Sequence, residues 1–183
     1  MNLGNVIPKC VPTREYAQKG YLSDRYGSVL VCYDDGTGLV KEEDLHGMNP
    51  QKVKNKAWNN LQTEGIKMTD IYREYGVELK KPPVYSVKTP FVFNIQSLSW
   101  IARLWNEEVF YILPATADET LLVAGSEISS GRVTEDSLRE MARRANNNLK
   151  ADHVTEILTE DIYCYENAKG KLRRLYNKEE GLR

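Results

Sequence analysis

Residues 110–125 read FYILPATADETLLVAG. An apolar run stops at Pro114, a small polar turn follows, and a second apolar run begins at Leu121. Two strand-length apolar runs about a short turn predict an antiparallel hairpin, with strands at 109–113 and 120–124 and a turn at 114–119. We read the turn as the corner of that hairpin and not as an active site. Helical patterns flank it on both sides. Downstream, Thr134 is placed to cap a helix with Glu135 and Asp136 in its first turn, where negative charge suits the helix dipole, and with Leu138, Met141, Ala142 and Ala145 as its buried stripe. Upstream, IQSLSWIARLW (95–105) sets Ile95, Leu98, Ile101, Ala102 and Trp105 at helical spacing.

Working outward, MNPQKVKNKAWNNLQTEG (48–65) predicts a third helix: Asn49 as N-cap, Pro50 at N1, Val53, Ala57, Trp58 and Leu61 as one apolar stripe, and Gly65 to end it. GSVLVCYDDGTGLV reads as strand, turn and strand, with Val29, Val31 and Tyr33 on one face. MTDIYREYGVEL adds a short helix with Ile71, Tyr72 and Tyr75 turned inward, FVF (91–93) a short strand, and SEISSG (126–131) a loop. EDIYCYENAKGKLRRLYN predicts a last hairpin about ENAKG. The fold class is therefore α+β, with antiparallel hairpins packed on three main helices.

KKPPVYSVKTP breaks any helix, because adjacent prolines remove donors and push the preceding residue into extended backbone. Residues 79–90 accordingly read as a linker or edge segment. The expected organisation is a single domain, 1–183, with sub-halves 1–78 and 91–183 joined by this Pro-rich stretch. GLVKEEDLHGMNPQKVKNKAWNNL and LLVAGSEISSGRVTEDSLREMARRANNNL each run from strand through polar loop into amphipathic helix, which suggests a degenerate ββα repeat.

At 183 residues the chain buries a core without staples, and 25 basic against 26 acidic residues leave no overall polyanion-binding field. No apolar run reaches membrane-span length, and MNLGNVIPKC lacks the basic and apolar regions of an export leader. Cys10, Cys32 and Cys164 are odd in number and in no metal spacing, so free thiols in a cytoplasmic protein are expected.

Catalytic candidates are sparse. His46 and His153 are the two histidines, each in a surface or capping context, and no G-x-S-x-G elbow occurs. Asp34, Asp35, Glu42, Glu43 and Asp44 crowd the first hairpin without the alternating ligands of a calcium loop, and DDGTG lacks the lysine of a phosphate cradle. No cofactor, metal or catalytic residue is expected. Residues 167–178, NAKGKLRRLYNK, hold Lys169, Lys171, Arg173, Arg174 and Lys178 around Tyr176, a strip suited to phosphates or bases. The preceding stretch holds Asp152, Glu156, Glu160, Asp161 and Glu166, which can neutralise it across the fold. Eleven Tyr and three Trp, with several Tyr in turn segments such as REYAQKGYLSDRY, favour protein contact. Trp58, Trp100 and Trp105 are expected in the core. The partner-binding residues expected are Arg14, Tyr16, Tyr21, Arg25 and Tyr26, followed by Lys171, Arg173, Arg174 and Tyr176.

FYILPATADETLLVAG resembles the signature of a domain-of-unknown-function family common in gut Gram-positive bacteria, whose members read approximately FYILPSSIHEVLLVP here. VTEDSLREMARRANNN, LTEDIYCYENAKGKLRRL and EEDLHGMNPQKVKNKAWNNL resemble that family's C-terminal helix, hairpin and earlier helix, so the likeness covers about two-thirds of the chain. The family members are longer at the N-terminus, which makes this chain resemble a shortened relative. The family's Ser-Ser-x-His-Glu turn is replaced by Ala115, Thr116, Ala117, Asp118 and Glu119, so its first hydroxyl and its imidazole are gone. The resemblance carries no activity. The expectation is a non-enzymatic protein-binding module, in that context a mobile-element accessory protein that inhibits a host enzyme such as a nucleic-acid-guided nuclease. Two alternatives stay open, a direct nucleic-acid binder acting through 169–178 and a hydrolase using a His and a carboxylate. Stoichiometry and oligomeric state are not legible.

Overall fold

A computed structural model of the chain describes residues 2–151 and 158–175, with backbone alone for 145–151. Asp152, His153, Glu156, Tyr176, Lys178 and the Ala145 side chain lie outside the described residues. The chain is an α+β protein whose strands form antiparallel sheets, and it divides into two compact units, Met1–Ile66 and Lys67–Arg183.

The first unit contains β1 (Ile7–Pro12), α1 (Thr13–Tyr16), β2 (Ser23–Tyr26), β3 (Val29–Asp34), a 3-10 turn (Glu42–Leu45) and α2 (Pro50–Thr63). Its sheet has the order β1-β3-β2. β3 is apolar at each of residues 29–33 because both of its faces are covered. Tyr33 packs with Val6, Leu22, Val40 and Leu45 and with Val53 and Ala57 of α2. Leu30 and Cys32 point the other way and pack with Val11 beneath Tyr16, Tyr21 and Leu39. Asn49 caps α2 by accepting from Gln51 N at 2.9 Å, Pro50 opens it, and Val53, Ala57 and Leu61 are its buried stripe, whereas Trp58, expected with them in the core, is only half-buried.

The hairpin in this unit differs from the one expected. β3 turns back through Gly27-Ser28 onto β2, with Tyr26 opposite Val29, and β1 lies on its other side. The DDGTG segment is an irregular loop that meets β3 through the Asp34–Leu39 bridge and a bond from Gly36 N to Asp34 Oδ1, and just beyond it Val40 N donates to the Tyr33 carbonyl at 2.7 Å. The prolines of β1, Pro8 and Pro12, suit an edge strand.

The second unit contains β4 (Thr69–Asp70), α3 (Ile71–Glu74), β5 (Val84–Lys88), a 3-10 segment (Thr89–Phe93), α4 (Ile95–Trp105), β6 (Val109–Pro114), β7 (Glu119–Ala124), α5 (Gly125–Ser129), α6 (Glu135–Ala151), β8 (Ile162–Glu166) and β9 (Lys171–Leu175). The strands form one antiparallel sheet of order β4-β5-β7-β6-β8-β9. Cross-strand partners share a face, so the register sets Tyr85, Leu122, Phe110, Ile112, Tyr163 and Tyr165 on one side. That side meets α4 and the 3-10 segment: Trp105 lies 5.2 Å from Tyr85 and 5.9 Å from Phe110, and Phe93 lies edge-on to Tyr163 at 5.5 Å. The opposite side, with Leu113, Val123 and Ile162, is covered by Leu138 and Ala142 of α6.

The 110–125 hairpin sits at the centre of this sheet, with its corner where the sequence predicts it. Three expectations change. Val84–Lys88, read as part of a linker, is β5, which lies between β4 and β7. FVF is a 3-10 segment begun by Thr89 and Pro90, and all five of its residues are buried. SEISSG overlaps the one-turn helix α5. In each unit a hairpin is followed by a short helical turn and then a long amphipathic helix, but GLV (38–40), read as the opening strand of the first repeat segment, belongs to no strand.

Candidate protein-binding surface

The first expected partner set lies in the first unit. Arg14 is exposed and pairs with Glu15 at 3.3 Å, and exposed Arg25 donates from Nε to the Gly27 carbonyl at 3.2 Å. The Tyr16 and Tyr21 rings lie 6.1 Å apart, with Lys19 Nζ 4.2 Å above Tyr16. Both rings cover Val11, Leu30 and Cys32, so they close a core face and are only half-exposed. Burial, with Asp24 and Cys10 nearby, raises the Tyr26 hydroxyl above the ordinary tyrosine range.

The second set lies on β9, the last strand of the six-stranded sheet. Strand alternation sends its two arginines to opposite faces, Arg173 opposite Cys164 and Arg174 opposite Tyr163. Arg173 Nε pairs with Glu166 at 3.1 Å, Lys169 pairs with the same carboxylate, and Arg174 pairs with Asp161 at 2.7 Å. Lys169 first, then Arg173 and Lys171, hold the Glu166 carboxyl below its usual range. These cations therefore form paired edges and no single strip, and they stand in a different unit from Arg14, Tyr16, Tyr21, Arg25 and Tyr26.

Sequence reasoning missed the apolar surface. All seven exposed large apolar side chains among the described residues fall between 72 and 104: Tyr72, Tyr75, Val77 and Leu79 after β4, and Ile95, Trp100 and Leu104 on α4. Tyr75 is 83% exposed and Leu104 is 60% exposed, so the inward reading of Tyr75 and the core reading of Trp100 are both corrected. α3 is one turn long and has no buried face to offer. It ends at Gly76, φ +77°, with Gly76 N bonded to the Arg73 carbonyl at 3.0 Å and Val77 N to the Tyr72 carbonyl at 2.9 Å. That closed turn holds Tyr75 outward. On α4, Leu98, Ile101, Ala102 and Trp105 turn inward, whereas Trp100 and Leu104, four residues apart, share the solvent side. The spacing alone carried this signal, since Trp100 falls off the 98–101–102–105 stripe. Arg103 is the sole charged residue of α4.

The polar groups that resemble catalytic ones hold structure. Thr116 Oγ1 accepts from Asp118 N at 3.2 Å and Glu119 N at 2.9 Å, and Thr89 Oγ1 donates to the Thr116 carbonyl at 2.8 Å, which makes 114–119 a braced corner. Glu107, the one buried carboxylate among the described residues, pairs with Lys81 at 2.6 Å and accepts from Ser126 Oγ at 2.9 Å, anchoring the start of α5. Asp34 and Asp35 are spent on the Gly36 and Thr37 amides at 2.8 and 3.0 Å. His46 is exposed and left-handed at the end of the 3-10 turn. Among the described residues no cluster of three or more His, Cys, Asp or Glu is placed to hold a metal ion, and no helix is long and apolar enough to cross a membrane. Comparison with family models, curated proteins and solved structures found no match.

Proposed function

We propose that this chain is a non-enzymatic protein-binding module whose principal contact surface lies in the Lys67–Arg183 unit, centred on Tyr75, Leu79, Trp100 and Leu104. The observation that carries this reading is the confinement of every exposed large apolar side chain among the described residues to 72–104. Exposed apolar groups gathered in one stretch mark contact surfaces, and Trp and Tyr are the residues that concentrate binding energy when a partner desolvates them. The N-terminal set Arg14, Tyr16, Tyr21, Arg25 and Tyr26 and the β9 cations are secondary in this reading, because the half-exposed tyrosines close a core and the arginines have polar or ionic partners. A host enzyme is the class of target that the resemblance suggests, a nucleic-acid-guided nuclease being one case.

The test uses the tagged full chain as bait in bacterial lysate, with and without nuclease treatment. A protein complex that survives nuclease and is lost on Trp100→Ser with Leu104→Ser, at unchanged melting temperature, supports the surface. Capture that survives those changes but fails with Tyr21→Ala and Arg25→Ala moves the contact to the first unit. Absence of any captured protein overturns the module.

A further inference from the structure

α2 carries a second feature that the protein-binding reading does not use. Pro50–Thr63 contains Lys52, Lys54 and Lys56 and no carboxylate. Lys54 is occupied, with Nζ 2.6 Å from Asp24 and 3.0 Å from the Ser23 carbonyl. Lys52 and Lys56 are exposed, one turn apart, and their ammonium groups have no protein partner among the described residues. Beside them runs a row of exposed amides, Gln51, Asn55, Asn59 and Gln62, spaced four, four and three residues apart on one helical face. Glu64 lies just beyond, at the C-cap.

Asparagine weakens helices, so its presence in one asks for a reason. Asn60 has a structural one: its Nδ2 donates to the carbonyls of Leu3, Gly4 and Val6 at 3.0, 3.2 and 2.8 Å. Asn55 accepts from Gln51 Nε2 at 2.8 Å, which lines up the two amides. The side-chain amides of Asn59 and Gln62 bond to no protein group among the described residues.

We propose that this face of α2 docks in the major groove of B-form DNA, with Lys52 and Lys56 on backbone phosphates and the amide row toward base edges. The major groove admits one α-helix, and Asn and Gln amides match the donor and acceptor pair of adenine there. The major groove of an RNA duplex is too deep and narrow for a helix. Charge complementarity selects the occupant, because the helix presents two free cations and no acid.

The test is fluorescence anisotropy of the full chain with a labelled random-sequence 20-base-pair DNA duplex at several salt concentrations. Binding at low salt should weaken as salt rises, and Lys52→Ala with Lys56→Ala should reduce the log–log salt slope by about 2. Asn59→Ala should abolish enrichment of adenine-bearing sites from a randomised duplex library. Any of three results overturns the proposal: no binding at low salt, binding indifferent to both lysines but lost with Lys171→Ala and Arg173→Ala, or equal affinity for a matched RNA duplex. Circular dichroism and melting curves of each variant confirm that the fold is intact.

Discussion

Asn59 and Asn60 are adjacent asparagines with opposite positions. Asn60 turns inward and holds the segment before β1 by three carbonyl contacts, whereas Asn59 faces water. Removing a donor that satisfies partly buried carbonyls costs roughly 1–3 kcal/mol, so Asn60→Ala should lower the urea midpoint clearly and speed proteolysis ahead of β1. Asn59→Ala should be neutral, or stabilise by roughly 0.5 kcal/mol through helix propensity. Equal effects in urea denaturation would contradict this division. Nothing in the string WNNL distinguishes the two residues; the partners of Asn60 lie more than fifty positions away in sequence.

At the scale of elements, the joint between β7 and α5 is the most constrained. A Cβ on Gly125 would run into the carbonyl of Val109 on β6, a backbone atom that cannot swing aside. Gly125→Ala should therefore destabilise by about 2–3 kcal/mol through overpacking, read as a shift in the denaturant midpoint. Gly131 is the control, since it has open space around it and only its φ of +72° opposes a side chain. Helix α2, its cap and its stripe were legible because an amphipathic period over about four turns leaves little choice. β5 was not: Pro82 and Pro83 signal a break, but a break does not say whether an edge or an interior strand follows. FVF failed for a related reason, since three apolar residues are too few to separate a strand from a helical turn. α4 was legible as a helix, but the outward position of Trp100 was overridden by the expectation that tryptophan packs inside.

For the whole molecule, buried ionisable groups set the alkaline limit. Cys10, Cys32 and Cys164 are all buried. Burial pushes the Cys32 thiol up to about 11 and raises the Tyr33 hydroxyl well beyond its usual range, with Asp24 adding to the latter. Well below pH ~8, under the ordinary thiol value, the thiol is protonated in both states and adds no pH dependence. Above that, the unfolded chain loses the proton while the native one keeps it, so stability falls between pH 9 and about 11. The slope is at most ~1.4 kcal/mol per pH unit for one thiol. Thermal melts across that window should show the decline, and Cys32→Ser or Cys32→Ala should flatten it. At pH 8 a soluble disulfide reagent should leave the native thiols untouched and titrate three in denaturant.

The chain by itself determined the α+β class, the central hairpin with its corner at 114–119, the capped α2 helix and the terminal hairpin. Each of these rests on local periodicity and turn chemistry within some twenty residues. Only the tertiary structure decided that β3 pairs with β1 and β2, and that Val84–Lys88 joins the six-stranded sheet. It also parted the two β9 arginines between faces and left Tyr75, Trp100 and Leu104 in solvent. Strand partners and exposure depend on residues distant in sequence, and no local pattern of apolar and polar residues encodes which distant surface will cover them.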